Sequence, residues 1–142
     1  MRIRNKVIIS ILNNGEILLS EGYDPVRDFK FYIPIGGGVE FGESIQEAAD
    51  RELREEIGLE SHELKFEDFY ESFFEFKGKK EHEVMFHYSC IVSDKTRISI
   101  PTAGEESDGE VIPLIWLSKP KLAALKESII PQGIYDALCR KL

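Results

Sequence analysis

Carboxylates are dense in residues 37–60, which hold eight of them, and three lie within five residues: Glu52, Glu55 and Glu56. The spacing of apolar residues predicts a helix over Ile45–Ile57. At about 100° per residue, Glu52 and Glu56 fall inside its apolar stripe and Glu55 falls beside it. Like charges three or four positions apart destabilise an exposed helix by roughly a few tenths of a kcal/mol per pair, and partial burial adds to that cost.

A divalent cation would make the same arrangement favourable. Carboxylate oxygens are hard ligands suited to Mg²⁺ or Mn²⁺, and these ions keep several waters and accept substrate phosphate oxygens as further ligands. The alternative is a solvated acidic turn, which does not explain why the acids share the apolar side of the helix. We therefore predict a Mg²⁺ or Mn²⁺ site on this helix.

Two further features beside the acids suit a metal site. The consecutive glycines Gly36–Gly38 permit close backbone approach, so a carbonyl from this segment could join the same metal; a tight turn alone would need the same residues. Arg51 has acidic residues four positions away on each side, Glu47 and Glu55. It is either half of a surface ion pair or a residue that orients a metal-binding carboxylate.

Length and charge limit the classes of function. The 142 residues fit one globular domain over residues 1–142. The net charge of −8 argues against binding a nucleic acid polymer. No apolar run reaches the length of a membrane span, and the N-terminal run is too short for a signal peptide, so a cytoplasmic location is the default expectation. Cys90 and Cys139 are expected to be reduced thiols.

The elements that position the acids are mostly strands. The predicted strands are Ile3–Leu12, Glu16–Tyr23, Phe29–Ile33, Leu64–Phe76, Glu83–Val92, Arg97–Ile100 and Pro113–Leu117. Turns are predicted at Asn13-Asn14-Gly15 and Gly78-Lys79-Lys80. Ser44 and Gly58 are the predicted caps of the acidic helix. Further helices are predicted at Lys119–Lys126 and Gln132–Leu142, and this order predicts a mixed sheet with helices packed on it.

The segment from Gly37 to Leu59 resembles the Nudix box of the Nudix hydrolase family, which includes MutT-like and ADP-ribose-pyrophosphatase-like members. Glu43 follows Gly37 after five residues, and Arg51-Glu52-Leu53-Arg54-Glu55-Glu56-Ile57-Gly58-Leu59 follows Glu43 after seven. All nine fixed positions of the pattern G-x5-E-x7-R-E-U-x-E-E-x-G-U are met, where U is a bulky aliphatic residue. The chain departs from many members in having Ile35 between Pro34 and the glycines.

The resemblance implies a fold, an activity and a set of site residues. The fold is an α/β/α sandwich around a mixed sheet, and the activity is Mg²⁺- or Mn²⁺-dependent hydrolysis of a nucleoside diphosphate linked to another moiety. The implied metal ligands are the carboxylates of Glu52, Glu55 and Glu56 with the carbonyl of Gly37. The implied supports of the loop–helix–loop are Glu43 and Arg51.

The carboxylate that takes a proton from the attacking water stays open at this point. Glu52 and Glu55 are candidates within the box, and Glu106 is the choice outside it, because family members often place an extra ligand or base in the acidic loop before Trp116. Glu105 and Glu110 share that loop, and Glu83 on a predicted strand is a rival.

Two functions remain in competition. The first is a pyrophosphohydrolase acting on ADP-ribose or a nucleotide sugar, or on a (d)NTP; the second is a domain that binds a nucleotide without cleaving it. The retained box carboxylates favour the first. The expected partner is a small nucleotide, with a homodimer as an option. Aromatic residues that could stack on a base are more often core residues: Phe31, Tyr32, Tyr70, Phe73 and Phe74. Arg27 and Lys30 could meet phosphates, although exposed loop cations are the default.

Overall fold

A computed structural model describes residues 1–60, 63–105 and 109–142. The strands are β1 (Ile3–Asn13), β2 (Glu16–Asp24), β3 (Phe29–Ile33), β4 (Ile35–Gly38), β5 (Lys65–Phe76), β6 (Lys79–Ile91), β7 (Ala103–Glu105) and β8 (Val111–Ser118). The helices are α1 (Ile45–Ile57), α2 (Asp94–Ser99), α3 (Lys119–Ala124) and α4 (Ile134–Lys141), with a short 3-10 turn at Lys126–Ser128. Among the helices of the described ranges, none has the length and apolar character needed to cross a bilayer.

The strands form one mixed sheet. Its order is β5-β6-β1-β2-β8-β7, with β3 added to β2 and β4 added to β1. The β1–β6 pair is parallel, and the other pairs are antiparallel. The chain reaches this parallel pair only after α1 and β5, which is the kind of long connection that parallel neighbours need.

Helices cover both faces of the sheet, so the predicted α/β/α sandwich is confirmed. On one face, α1 packs Ala48, Ala49 and Leu53 against the inward residues of β1. On the other face, α3 and α4 contribute Leu122, Ile134 and Leu138 to a second cluster with Met85 of β6. Full burial of one such leucine contributes about 1.5–3 kcal/mol, and Leu53 is 1% exposed.

Local signals fix both ends of α1, and its predicted limits are confirmed. The side chain of Ser44 accepts a hydrogen bond from the backbone N–H of Glu47, and the Glu47 carboxylate accepts one from the Ser44 N–H. This capping box satisfies two of the N–H groups that a helix start leaves without partners. Gly58 ends the helix in the left-handed conformation, at φ 71°, which glycine adopts without steric cost.

The strand predicted at Arg97–Ile100 is wrong, because residues 97–99 lie in α2 and Ile100 is the C-cap of that helix. Ser93 caps the helix by accepting from the N–H of Thr96. Arg97 then stacks on Trp116, with its Cζ 4.2 Å from the ring centroid, and donates to Glu16 at 2.7 Å. These contacts to distant residues, together with the Ser93 cap, outweigh the β-propensity of Ile98 and Ile100.

Other boundaries differ by smaller amounts. The glycines expected only as a turn form strand β4, and a short strand, β7, lies in the expected acidic loop. The second hairpin turns at Lys77-Gly78 rather than at Gly78-Lys79-Lys80, so β6 begins at Lys79 and runs to Ile91. The limits of strand β8 and of the C-terminal helices differ from their predicted positions by at most two residues, as element ends commonly do.

The sheet splits between β1 and β2, and the split positions the candidate site. These strands pair only near their hairpin turn, from Ile11 with Leu18 to Asn13 with Glu16. Beyond that point β1 pairs with β4, and β2 pairs with β3. A cavity of about 60 Å³ lies in the split, and Glu56 of α1 is part of its lining. A side chain from the α1 face can therefore reach the interior of the sheet.

The buried His87 predicts a pH dependence of stability. Its side chain is fully buried on β6 with Nε2 2.6 Å from Ser10 Oγ, and burial lowers the pKa of His87 from 6.5 to about 4. The unfolded chain binds this proton below about pH 6.5 and the folded chain does not until about pH 4, so stability falls as the pH drops through that window, by about 3 kcal/mol at most. Urea denaturation of His87→Gln should show a smaller pH slope between pH 6.5 and 4 than wild type. An unchanged slope in His87→Gln would contradict the prediction.

Candidate active site

Arg51 connects three segments around the acidic helix. Its Nε donates to Glu43 Oε2 at 2.7 Å and its Nη2 donates to Glu43 Oε1 at 2.9 Å. The same Nη2 donates to the backbone carbonyl of Gly38 at 2.9 Å. A planar guanidinium can form such a paired contact with a carboxylate, whereas a lysine ammonium cannot. We call the Arg51, Glu43 and Gly38 contacts the Arg51 clamp.

The charges of the clamp stabilise one another. The hydrogen bond from Arg51, followed by a backbone hydrogen bond, lowers the pKa of Glu43 from 4.5 to about 2. The same carboxylate raises the pKa of Arg51. Both side chains are about 15% exposed, so water screens the pair only in part. Glu43 is therefore ionised at neutral pH.

The third nitrogen of Arg51 faces two carboxylates of α1. Its Nη1 donates to Glu52 Oε1 at 2.8 Å and to Glu55 Oε2 at 3.2 Å. Of the two ion-pair partners suggested by sequence spacing, Glu55 is in contact, whereas Glu47 serves the capping box. Arg51 thus lies beside two carboxylates of a predicted metal site, as the orienting role requires.

Glu52 lies directly against the backbone of Gly37. Glu52 is 7% exposed, and a Cβ built on Gly37 would lie only 2.3 Å from Glu52 Oε1. The missing side chain of Gly37 therefore creates the space that the carboxylate fills. The helical spacing that placed Glu52 inside the apolar stripe predicted this burial.

Glu56 approaches a different glycine, on β7. A Cβ on Gly104 would lie 3.2 Å from Glu56 Oε2, and Glu56 also lines the cavity in the sheet split. Glu55 is the exposed member of the three, with 58% of its side chain accessible. Glu52 thus faces the Gly37 backbone, Glu55 faces the solvent, and Glu56 faces the split between β1 and β2.

The donor set fits a hard divalent cation. Carboxylate and carbonyl oxygens are the ligands that Mg²⁺ and Mn²⁺ prefer, and the space beside Gly37 already holds one carboxylate. In residues 1–60, 63–105 and 109–142, no three His, Cys, Asp or Glu side chains converge as a preformed metal group. Arg51 instead holds Glu52 and Glu55 in this arrangement, which offsets part of their mutual repulsion.

The acidic residues considered as general base outside the Nudix box lie at different places in the structure. Glu106 lies outside the described residues, and Glu105 is described only as the last backbone position of β7. Glu110 lines a second cavity, of about 410 Å³, which shares Lys6, Ser20 and Ile33 with the small cavity in the sheet split. Glu83 is 1% exposed and lines the same cavity. It forms ion pairs with Arg4 at 3.4 Å and Lys6 at 3.7 Å.

Only some of the aromatic and basic candidates reach this cavity. Phe31 and Phe74 line it, together with the unpredicted Phe76. Tyr32 and Tyr70 pack with the second core cluster. Arg27 pairs with Asp24, and Lys30 pairs with Glu21.

Sequence reasoning missed Arg4 and Lys6, which line the cavity from β1. Their spacing of two residues, continued by Ile8, is the signal that could have placed them on one strand face.

Comparison with known proteins agrees with this architecture. The family model described as the NUDIX domain matches residues 1–135. A MutT protein from Bacillus halodurans has a similar structure, with a TM-score of 0.62 and 18% identity, over 96% of this chain and 80% of that one. A NUDIX family hydrolase from Clostridium perfringens aligns with a TM-score of 0.61 and 16% identity, over 99% and 96% of the two chains. A MutT protein from Methanosarcina mazei Go1 is 26% identical, with a TM-score of 0.59 over 97% and 91%.

The Arg51 clamp should contribute measurably to stability. Arg51→Lys keeps the charge but loses the paired contact with Glu43 and the donor to Gly38, so we expect a loss of about 1–3 kcal/mol in urea denaturation. The difference from wild type should shrink as the pH falls from 4.5 toward about 2, because Glu43 is then protonated. Arg54→Lys, at an exposed position of the same helix, is the matched control. An equal effect of the two substitutions would contradict the assignment.

The space at Gly37 should matter for metal binding. In Gly37→Ala the new methyl group would overlap the Glu52 carboxylate, whereas in Gly38→Ala the nearest atom lies 3.9 Å away. Electron paramagnetic resonance titration with Mn²⁺ should show affinity about 10–100-fold weaker for Gly37→Ala and near wild type for Gly38→Ala. Similar affinities for the two variants would show that Glu52 does not bind the metal beside Gly37.

Proposed function

Since the chain belongs to the NUDIX domain family of pyrophosphohydrolases, we propose that it hydrolyses the pyrophosphate of a nucleoside diphosphate linked to another moiety, with Mg²⁺ or Mn²⁺ as cofactor. The observation that carries this proposal is the position of Glu52. This carboxylate is 7% exposed and lies beside the Gly37 backbone, 2.8 Å from Arg51 Nη1. Its burial carries a desolvation cost, which a bound divalent cation would offset further.

The residues proposed to hold the metal are Glu52, Glu55 and Glu56, with the Gly37 carbonyl as a further donor. A bound divalent ion polarises phosphoryl oxygens, neutralises developing charge and lowers the pKa of a bound water. Arg51 and Glu43 support this arrangement from outside it, since Arg51 contacts both Glu52 and Glu55. Removal of Arg51 would leave these carboxylates without their shared cation.

A carboxylate must also accept the proton of the attacking water. Glu52, Glu55 and Glu106 are the candidates for this general base. Glu106 lies outside the described residues, so its candidacy rests on the sequence alone. Glu83 is disfavoured as the base, because it pairs with Arg4 and Lys6 in the larger cavity and does not line the small cavity that contains Glu56.

The substrate is proposed to be ADP-ribose or a nucleotide sugar, or a (d)NTP. A cavity of about 410 Å³ with three phenylalanines in its wall suits a base or sugar with apolar faces. Lys6 lines both this cavity and the smaller one that contains Glu56. A nucleotide could therefore place its phosphates at α1 and its nucleoside in the larger cavity.

The single domain over residues 1–142, the cytoplasmic location and the homodimer stay predictions.

The alternative function is nucleotide sensing without cleavage. The complete set of box carboxylates favours catalysis, because a binding domain has no need to keep all of them. A phosphate-release assay on a nucleotide panel with Mg²⁺ or Mn²⁺ separates the two functions. Binding without release of product by the wild type would support the sensing function.

Substitution of the metal-binding acids should abolish turnover without unfolding the chain. Glu55→Gln and Glu56→Gln each remove one anionic ligand at constant size, so we expect a loss of at least about 100-fold in kcat. Asp50→Asn, at an exposed position of the same helix, should keep the wild-type rate. Circular dichroism should give the same spectrum for all variants. A full rate in either glutamine variant would refute the assigned role of that residue.

A further inference from the structure

Glu83 is a buried acceptor that the proposed chemistry does not use. It lies in β6, is 1% exposed, and lines the cavity of about 410 Å³. Its Oε1 accepts no hydrogen bond from any residue that the structure describes. A buried carboxylate oxygen without a hydrogen bond carries a large desolvation cost, so this oxygen needs a partner.

Two cations lie beside this carboxylate. Arg4 Nη1 lies 3.4 Å from Oε2, and Lys6 Nζ lies 3.7 Å from Oε1. The side chains of Arg4 and Lys6 are 44% and 23% exposed, so both cations remain open to water. These ion pairs offset part of the desolvation of Glu83, but at these distances they do not supply the short hydrogen bond that Oε1 lacks.

The surrounding wall has the shape and chemistry of a nucleoside site. Phe31 and Phe76 form an edge-to-face pair with centroids 5.8 Å apart. Gly22 makes room for the Phe31 ring, because a Cβ there would lie 2.3 Å from it. Glu83 is the buried one of the acids that line this cavity beside the phenylalanines, and a few fixed polar groups in a partly apolar wall are what orient a ligand.

The position of the larger cavity relative to α1 indicates which part of the proposed substrate reaches Glu83. Lys6 lines both the nucleoside-sized cavity and the small cavity that contains Glu56. Arg4 lies on the same side, 3.9 Å from the place where a Cβ on Gly38 would be. Phosphates bound at α1 would thus meet Arg4 and Lys6, and the group attached to them would extend toward Glu83.

We propose that Glu83 determines substrate specificity by accepting a hydrogen bond from an O–H or N–H donor on the nucleoside, either a ribose hydroxyl or an N–H of the base. This inference rests on the proposed function for the identity of the ligand. A site built around a charged acceptor discriminates strongly against analogues that lack the donor, because the acceptor is then left unpaired.

Calorimetric titration with nucleoside monophosphates tests the proposal, because these have no anhydride bond to cleave. In the presence of Mg²⁺ the wild type should bind at least one of AMP, GMP and CMP. Glu83→Gln should weaken that binding about tenfold or more. It should not weaken binding of inorganic phosphate, because removal of a negative charge beside Arg4 and Lys6 favours an anion.

Two pairs of ligands identify the donor. If a ribose hydroxyl is the donor, wild type should prefer AMP to dAMP, and Glu83→Gln should lose that preference. If the exocyclic amine of a base is the donor, the same loss should appear between GMP and IMP. Retention of both wild-type preferences in Glu83→Gln would overturn the proposal, as would equal weakening of nucleotide and phosphate, which would show that Glu83 acts through its cations.

A matched buried ion pair provides the control. Glu67 pairs with Lys141 beside a different cavity, with 12% of its side chain exposed, and Glu67→Gln should leave nucleotide binding unchanged. If Glu83→Gln fails to fold, Glu83→Asp keeps the charge and withdraws the oxygens by one methylene, and the same loss is expected. Nucleotide binding without turnover in wild type would contradict the proposed function but not this inference; absence of binding to every monophosphate, with phosphate still bound, would contradict this inference alone.

Discussion

The guanidinium of Arg51 is the group on which the arrangement of the acidic helix depends. It donates to Glu43, to the Gly38 carbonyl, and to Glu52 and Glu55. A single planar cation therefore connects a strand, a loop and a helix, and it also offsets the repulsion between two acids that the helix places side by side. Since its five N–H donors are fixed in one plane, the contact defines relative orientation as well as distance.

Local signals in the sequence predicted the parts of the fold that local contacts determine. The limits of α1 follow from Ser44 and Gly58, whose effects act within one helical turn. The segment around Arg97 could not be predicted in this way, because its stacking on Trp116 and its ion pair with Glu16 join residues far apart in the chain. The parallel pairing of β1 with β6 could not be predicted from local signals either, because its register depends on tertiary packing.

The candidate site also has features that the sequence predicted and features that it did not. Helical periodicity indicated that Glu52 is buried and that Glu55 lies at the margin, because both properties depend on one helix. The space that Gly37 provides for Glu52, and the approach of Glu56 to Gly104, join segments that only the folded sheet brings together. The ion pairs of Glu83 with Arg4 and Lys6 likewise depend on the parallel register of β1 and β6.

Under the proposed function, the acidic helix carries out the reaction and the larger cavity recognises the substrate, and these two parts are built from different elements of the fold. The acidic helix is anchored in the core cluster on one face of the sheet, whereas the wall of the larger cavity is built by the β2–β3 and β5–β6 hairpins. Substitutions in those hairpins can reshape the wall without disturbing the packing of Leu53 or the contacts of Arg51. In such a scaffold, the ligand preference can be altered by changes in the hairpins while the acidic helix keeps its position.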